Sequence, residues 1–125
     1  MFSYGAIGVA SSLIYKIVAA VEWRAAERDG IFHGAAVDRR DGYIHFSTAA
    51  QVAETAARHF SGHADLFLVA FDAAALGPAL KWEMSRGGAL FPHLYGALDP
   101  GTARSVRPLP LGRDGKHVFP SFDES

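Results

Sequence analysis

The stretch DGYIHFST, residues 41–48, places a histidine between two apolar residues directly after an Asp-Gly turn signal. On a strand, residues two apart share a face, so Tyr43, His45 and Ser47 are expected on one side and Ile44 and Phe46 on the other. With Ile44 and Phe46 in the core, His45 and Ser47 lie side by side on the open face, at a strand end that feeds a helix. Anionic ligands settle at such ends because free N–H groups and the helix dipole converge there. A plainer alternative has Ser47 capping that helix and His45 bonded to a main-chain carbonyl, which accounts for both residues without a ligand.

A second group lies in WEMSRGGALFPHLYG, residues 82–96: Trp82, Glu83, Arg86, His93 and Tyr95 around a loop with two glycines. Arg86 can grip a phosphate with its guanidinium fork. The rings of Trp82 and Tyr95 can stack on a flat base. Glu83 can polarise a hydroxyl or stabilise a developing cation. The plainer alternative makes Trp82, Phe91 and Leu94 core residues and Arg86 a solvated loop charge. His59 and His63 stand four apart, a spacing at which helical histidines share a metal. Gly62 breaks that helix, and no acid completes the three ligands a catalytic metal wants, so no metal is expected. His33 and His117 are expected on the surface. Ser47 lacks the G-x-S-x-G elbow of a hydrolase nucleophile. His45-Phe46-Ser47 does fit one H-x-[ST] half of a two-histidine phosphoesterase; the second half is missing, because His93-Leu94-Tyr95 ends in tyrosine.

The elements that must position these groups follow from pattern. Leu13 to Val21 reads as a buried strand, most clearly over Ile14 to Val18. Glu22 to Arg28 is a helix stopped by Asp29-Gly30, with Trp23, Ala26 and Ile31 toward the core. Phe32 to Arg40 reads as irregular. Tyr43 to Phe46 is a short strand, and Thr48 with Gln51 forms a T-x-x-Q capping box for a helix over Ala49 to His59. Asp65 to Phe71 is a nearly continuous apolar strand that should lie centrally in a sheet. Asp72 to Leu80 is a turn or short helix, and Leu80 to Glu83 a strand. Leu90 to Leu98 reads as an edge strand because of Pro92, and Ala103 to Leu109 as the last strand. Residues 111–125 form a tail docked by Val118 and Phe119. The pattern predicts an N-terminal extension over residues 1–12, flexible in character, and one mixed α+β domain over 13–125.

Totals exclude several classes. The chain has 125 residues, half of them apolar, which fits one ordinary domain. The formal net charge is −1, with no basic face for duplex nucleic acid. There is no cysteine, hence no disulfide and no thiol chemistry. The apolar run at the N-terminus has no positive region before it and is interrupted by Lys16, so neither a secretory signal nor a membrane span is expected. A cytoplasmic location is the default expectation.

At DGYIHFST the sequence resembles the bacterial domain of unknown function 952 family. The resemblance runs from IYKIV through WRAAERDGIF, DGYIHFSTAAQ, LFLVAFD, LKWE and RGGALFPHLYGAL to VRPLPL, about 100 residues, with D-G-[FY]-I-H-x-S-T and F-P-H-L-Y-G as its specific motifs. That family looks like a member of the ADP-ribosyltransferase-like fold, a small split sandwich of two short sheets with a dinucleotide cleft between them. The segment around His45 is similar to the H-x-H-hydrophobic-S segment of the RNA 2′-phosphotransferases, with Tyr43 in place of the first histidine. The resemblance implies NAD or a related nucleotide as ligand. It implies that His45 bonds a ribose hydroxyl or phosphate, Ser47 and Thr48 fix the ribose, and Trp82 and Tyr95 stack the base. Arg86 would then hold phosphate, with Glu83 and His93 beside the reacting centre. Three functions follow: a nucleotide-binding protein, possible transferase included; a two-histidine phosphoesterase acting on cyclic phosphates; and a non-catalytic module binding a metabolite or a protein. Oligomeric state is left open.

Overall fold

The computed structural model describes residues 12–122, so most of the expected extension and the last three residues lie outside the described part. Two antiparallel sheets make up the fold. A four-stranded sheet has the order β3 (Ser47–Thr48), β1 (Leu13–Ala19), β4 (Leu66–Asp72), β7 (Ala103–Leu109). A three-stranded sheet has the order β2 (Ile44–His45), β6 (Leu90–Leu94), β5 (Leu80–Met84). The helices are α1 (Ala20–Asp29), α2 (Ala36–Asp41) and α3 (Val52–His59). The architecture is mixed α+β with two small sheets, as the pattern implies.

The near-continuous apolar runs of β1 and β4 follow from burial on both faces of the four-stranded sheet. One face packs Ile14, Val18, Val69 and Phe71 with Trp23 of α1, with Ile44 and Leu94 from the second sheet, and with Phe46 between the sheets. The other face packs Tyr15, Ile17, Leu68 and Ala70 with Val52 and Ala56 of α3. Alternation along β1 therefore turns Lys16 toward the first face, between Ile14 and Val18. Full burial of a side chain such as Phe71 contributes about 1.5–3 kcal/mol.

Several expectations are corrected. The first strand ends at Ala19, not Val21, because the Ala20 N–H donates to the Asp65 carbonyl (2.8 Å) and the helix starts at once. Val21 is 75% exposed, and Ile31 is also exposed, while Phe32 fills the core instead. Phe32 to Arg40 is not wholly irregular, since it holds most of α2. The third helix starts at Val52 rather than Ala49, and no side chain caps it. Half of the capping box exists: the Gln51 Oε1 accepts from the Thr48 N–H at 3.0 Å. β6 is the central strand of its sheet, not an edge. Pro92 is tolerated there because its N and C=O face the end of β2, where the chain leaves and the Phe46 N–H donates to the Pro92 carbonyl (3.0 Å). In the tail, Phe119 and Phe122 pack on the core, whereas Val118 is 55% exposed.

The largest correction concerns the single strand expected over Tyr43 to Phe46. Ile44 and His45 pair with β6 of one sheet, and Ser47 and Thr48 pair with β1 of the other. Phe46, buried, is the junction. His45 and Ser47 are thus not successive residues on one strand face. They come together because the chain crosses between sheets.

Candidate active-site cleft

A cleft of about 450 Å³ opens where the chain crosses between the sheets. Lys16 of β1, Arg40 and Asp41 of α2, His45, Ser47, Thr55 and His59 of α3, and His93 of β6 provide its polar wall. Tyr15, Ile17, Phe46, Phe60 and Phe91 provide aromatic and aliphatic lining.

The geometry begins at Gly34. Its φ is +103°, in the left-handed region, and a Cβ there would lie 2.7 Å from the Cβ of Asp38. Only glycine meets both demands. The tight turn lets Asp38 reach back, so that the Ala35 N–H donates to its Oδ2 (2.8 Å) at the start of α2. The rest of the carboxylate turns inward, and Asp38 is 1% exposed. Lys16 Nζ donates to Oδ1 (3.0 Å) and pairs with Oδ2 at 2.8 Å, the His45 N–H donates to Oδ1 (3.1 Å), and His45 Nδ1 lies 2.6 Å from the same oxygen. Burial pushes the Asp38 carboxyl up, but the bonds from His45, Lys16 and Ala35 together outweigh it and hold the group well below the usual carboxylate range. Burial also pulls the Lys16 ammonium below its usual value, with Asp38 opposing that shift. A lysine in the middle of an apolar strand needs such a partner.

His45 carries a second carboxylate. Its Nε2 lies 3.0 Å from Asp41 Oδ2, and Asp41 Oδ1 accepts from Arg40 Nε at 3.0 Å. The Arg40 bond is the first cause holding the Asp41 carboxyl below its usual range. Both ring nitrogens of His45 therefore face ionised carboxylates, which only accept.

His93 is the direct register partner of His45 across β2 and β6. The two rings are 5.5 Å apart, edge to face. His93 is buried, with Tyr43 stacked on it at 4.1 Å. Its Nδ1 lies 2.8 Å from Glu83 Oε1, which also accepts from the Tyr95 hydroxyl at 2.7 Å. Those two bonds, His93 first, hold the Glu83 carboxyl below its usual range, and the Glu83 bond pushes the Tyr95 phenol up to about 12.

The residues expected at a site are thus only partly brought together. His45, Ser47 and His93 line the cleft together. Ser47 is buried and bonds Thr55 Oγ1 at 2.8 Å. Glu83 and Tyr95 do not line the cleft but touch residues that do: Glu83 bonds His93, and the Tyr95 ring lies 5.2 Å from that of Tyr43. Thr48 lies in β3, Trp82 is half-exposed on β5, and Arg86 opens the 3-10 turn Arg86–Gly88. Lys16, Asp38, Arg40 and Asp41 escaped the motif reading. Lys16 left one signal, a lysine at an inward position of a doubly buried strand. Asp38 left none, because it stood inside a stretch that reads as irregular, next to Arg39, Arg40 and Asp41. Among the described residues no three histidine, aspartate or glutamate side chains group as a metal site, and no helix is long and apolar enough to cross a membrane.

The crystal structure of protein CC0527 from Caulobacter crescentus superposes with a TM-score of 0.83 at 50% identity, covering 86% of this chain and 94% of that chain. A double mutant of CC0527 matches with a TM-score of 0.83 at 48% identity, over 86% of this chain and 94% of that one. The solution structure of CC0527 matches with a TM-score of 0.76 at 51% identity, over 83% of this chain and 90% of that one. A search of curated proteins finds no match. The sequence model described as "Protein of unknown function (DUF952)" matches residues 17–106, a span that contains Asp38, both histidines and Glu83, and the chain belongs to that family.

Proposed function

We propose that the cleft binds a nucleotide and that His45 and His93 act on its phosphate ester as an acid–base pair. One observation carries this reading: the two rings stand side by side in register on β2 and β6, and each Nδ1 is backed by a carboxylate, at 2.6 and 2.8 Å. A carboxylate on one ring nitrogen fixes the tautomer and steadies the charge that forms when the other nitrogen moves a proton. His93 donates from Nδ1 to Glu83, which leaves the lone pair of Nε2 as its proton acceptor. His45, held at Nδ1 by Asp38 and presenting Nε2 toward Asp41 in the cleft wall, is assigned the role of proton donor.

On a 2′,3′-cyclic phosphate the step balances simply. Water attacks phosphorus as His93 takes its proton, one P–O bond to the ribose breaks, and His45 protonates the departing ribose oxygen. The aromatic lining supports binding of a base, and Arg40 supplies positive charge at the rim. The family resemblance implies NAD instead, with transfer from its ribose, and the same experiment covers that reading.

Hydrolysis of 2′,3′-cyclic AMP is followed by ³¹P NMR for wild type, His45→Ala and His93→Ala, with nicotinamide release from NAD measured in parallel. The expected result is turnover of the cyclic nucleotide that falls by roughly 10²–10⁴-fold in either variant. Nicotinamide release with the cyclic nucleotide untouched overturns the phosphoesterase in favour of transfer from NAD. Turnover of neither, with melting temperatures unmoved by both ligands, overturns nucleotide binding as well.

A further inference from the structure

The two carboxylates on His45 are not equivalent. Asp38 is buried, accepts from several donors and cannot leave without stranding Lys16. Asp41 is the last residue of α2, partly exposed, and is followed by Gly42 in a left-handed turn at φ +90°. Its partner Arg40 is 73% exposed, and ion pairs at such a surface are worth little. Yet the Asp41 carboxylate spans two convergent donors inside the cleft wall. Oδ1 takes Arg40 Nε at 3.0 Å and Oδ2 takes His45 Nε2 at 3.0 Å.

The geometry points to a phosphate subsite built by Arg40 and His45, which Asp41 fills as a stand-in until a ligand's phosphoryl oxygens displace it. The inference rests on the proposed reading only for the kind of ligand that brings the phosphate. Two oxygens of a tetrahedral phosphate are spaced much like those of one carboxylate, so the same pair of donors receives either. A dianion gains more from the Arg40 guanidinium and a ring N–H than the carboxylate does, and the guanidinium fork matches it. Asp38 stays in place, keeping the His45 ring oriented while its Nε2 changes partner. The charged and titratable groups facing His45 are Lys16 from β1, Asp38, Arg40 and Asp41 from α2, Tyr43 from the turn after it, and His93 from β6. Of these, Arg40 and Asp41 are the pair that lies near solvent.

The probe is inorganic phosphate, titrated at constant ionic strength into wild type, Asp41→Asn and Arg40→Gln, with the dissociation constant read from the ring-nitrogen NMR signals of His45. Asp41→Asn is expected to bind phosphate about tenfold more tightly than wild type, since the competing carboxylate is gone, and Arg40→Gln to lose binding. Unchanged affinity in Asp41→Asn, or binding that survives Arg40→Gln, overturns the subsite. The two ideas fail separately. Cyclic-nucleotide turnover with phosphate affinity unmoved by Asp41→Asn removes the subsite alone. Tighter phosphate binding in that variant without any turnover supports the subsite and removes the phosphoesterase.

Discussion

Replacing Asp38 by Asn leaves a shape almost unchanged and removes one charge at the most buried polar side chain among the described residues, behind His45 and the cleft wall. Four donor groups converge on that carboxylate: Lys16 Nζ, the Ala35 N–H, and the main-chain N–H and Nδ1 of His45. An amide can accept on one atom only, and its NH₂ would point at another donor. Lys16, with 6% of its side chain exposed, would then hold a charge without its anion. Breaking a buried pair from one side costs about 3–5 kcal/mol, which for a domain of this length lowers the melting temperature by roughly 10–20 °C. The assay is urea and thermal unfolding by circular dichroism at pH 7 for wild type, Asp38→Asn, Lys16→Met and the double variant. Because an apolar replacement of a whole buried pair is often neutral, the double variant should be more stable than Asp38→Asn. A loss below about 1 kcal/mol in Asp38→Asn, the range of an exposed pair, would refute the reasoning. So would a double variant whose loss is the plain sum of the two single losses.

The same carboxylate gives a pH signature. Asp38 is held below its usual range, so its stabilisation is complete above the unfolded carboxylate value of about 3.9 and is lost as pH falls below it; an acid-unfolding series should show Asp38→Asn with the shallower slope there. Glu83→Gln removes the acceptor that raises Tyr95 to about 12, so ultraviolet titration should show that phenol ionising at lower pH in the variant. An unchanged curve would mean the Tyr95–Glu83 bond is not made in solution. Gly34→Ala forces a side chain into left-handed backbone and against Asp38, and should destabilise by roughly 1–3 kcal/mol in the same unfolding assay.

How much of this was readable beforehand depended on whether the information was local. β4 was legible because a long apolar run admits few other conformations, and β7 runs over the predicted Ala103–Leu109. Trp23 and Ala26 were legible as the buried side of α1 from helical spacing. Pro92 misled, because its missing N–H matters only if a strand pairs there, and β2, at two residues, ends first. Asp38 was invisible for a similar reason. Its neighbours in sequence, Arg39, Arg40 and Asp41, are exposed, while its partners Lys16 and His45 come from other elements. The pairing of His45 with His93 was legible in kind, from polar residues placed in two motifs. The carboxylate behind each ring required the fold.

The dependence of cyclic-nucleotide hydrolysis on pH tests the central claim most directly. Wild type should give a bell-shaped kcat/KM profile with one limb from a group that must be deprotonated and one from a group that must be protonated. His93→Ala should abolish the first limb and His45→Ala the second, each with a large fall in rate. A profile with both limbs intact in either variant, or hydrolysis that persists when both histidines are gone, would contradict the account.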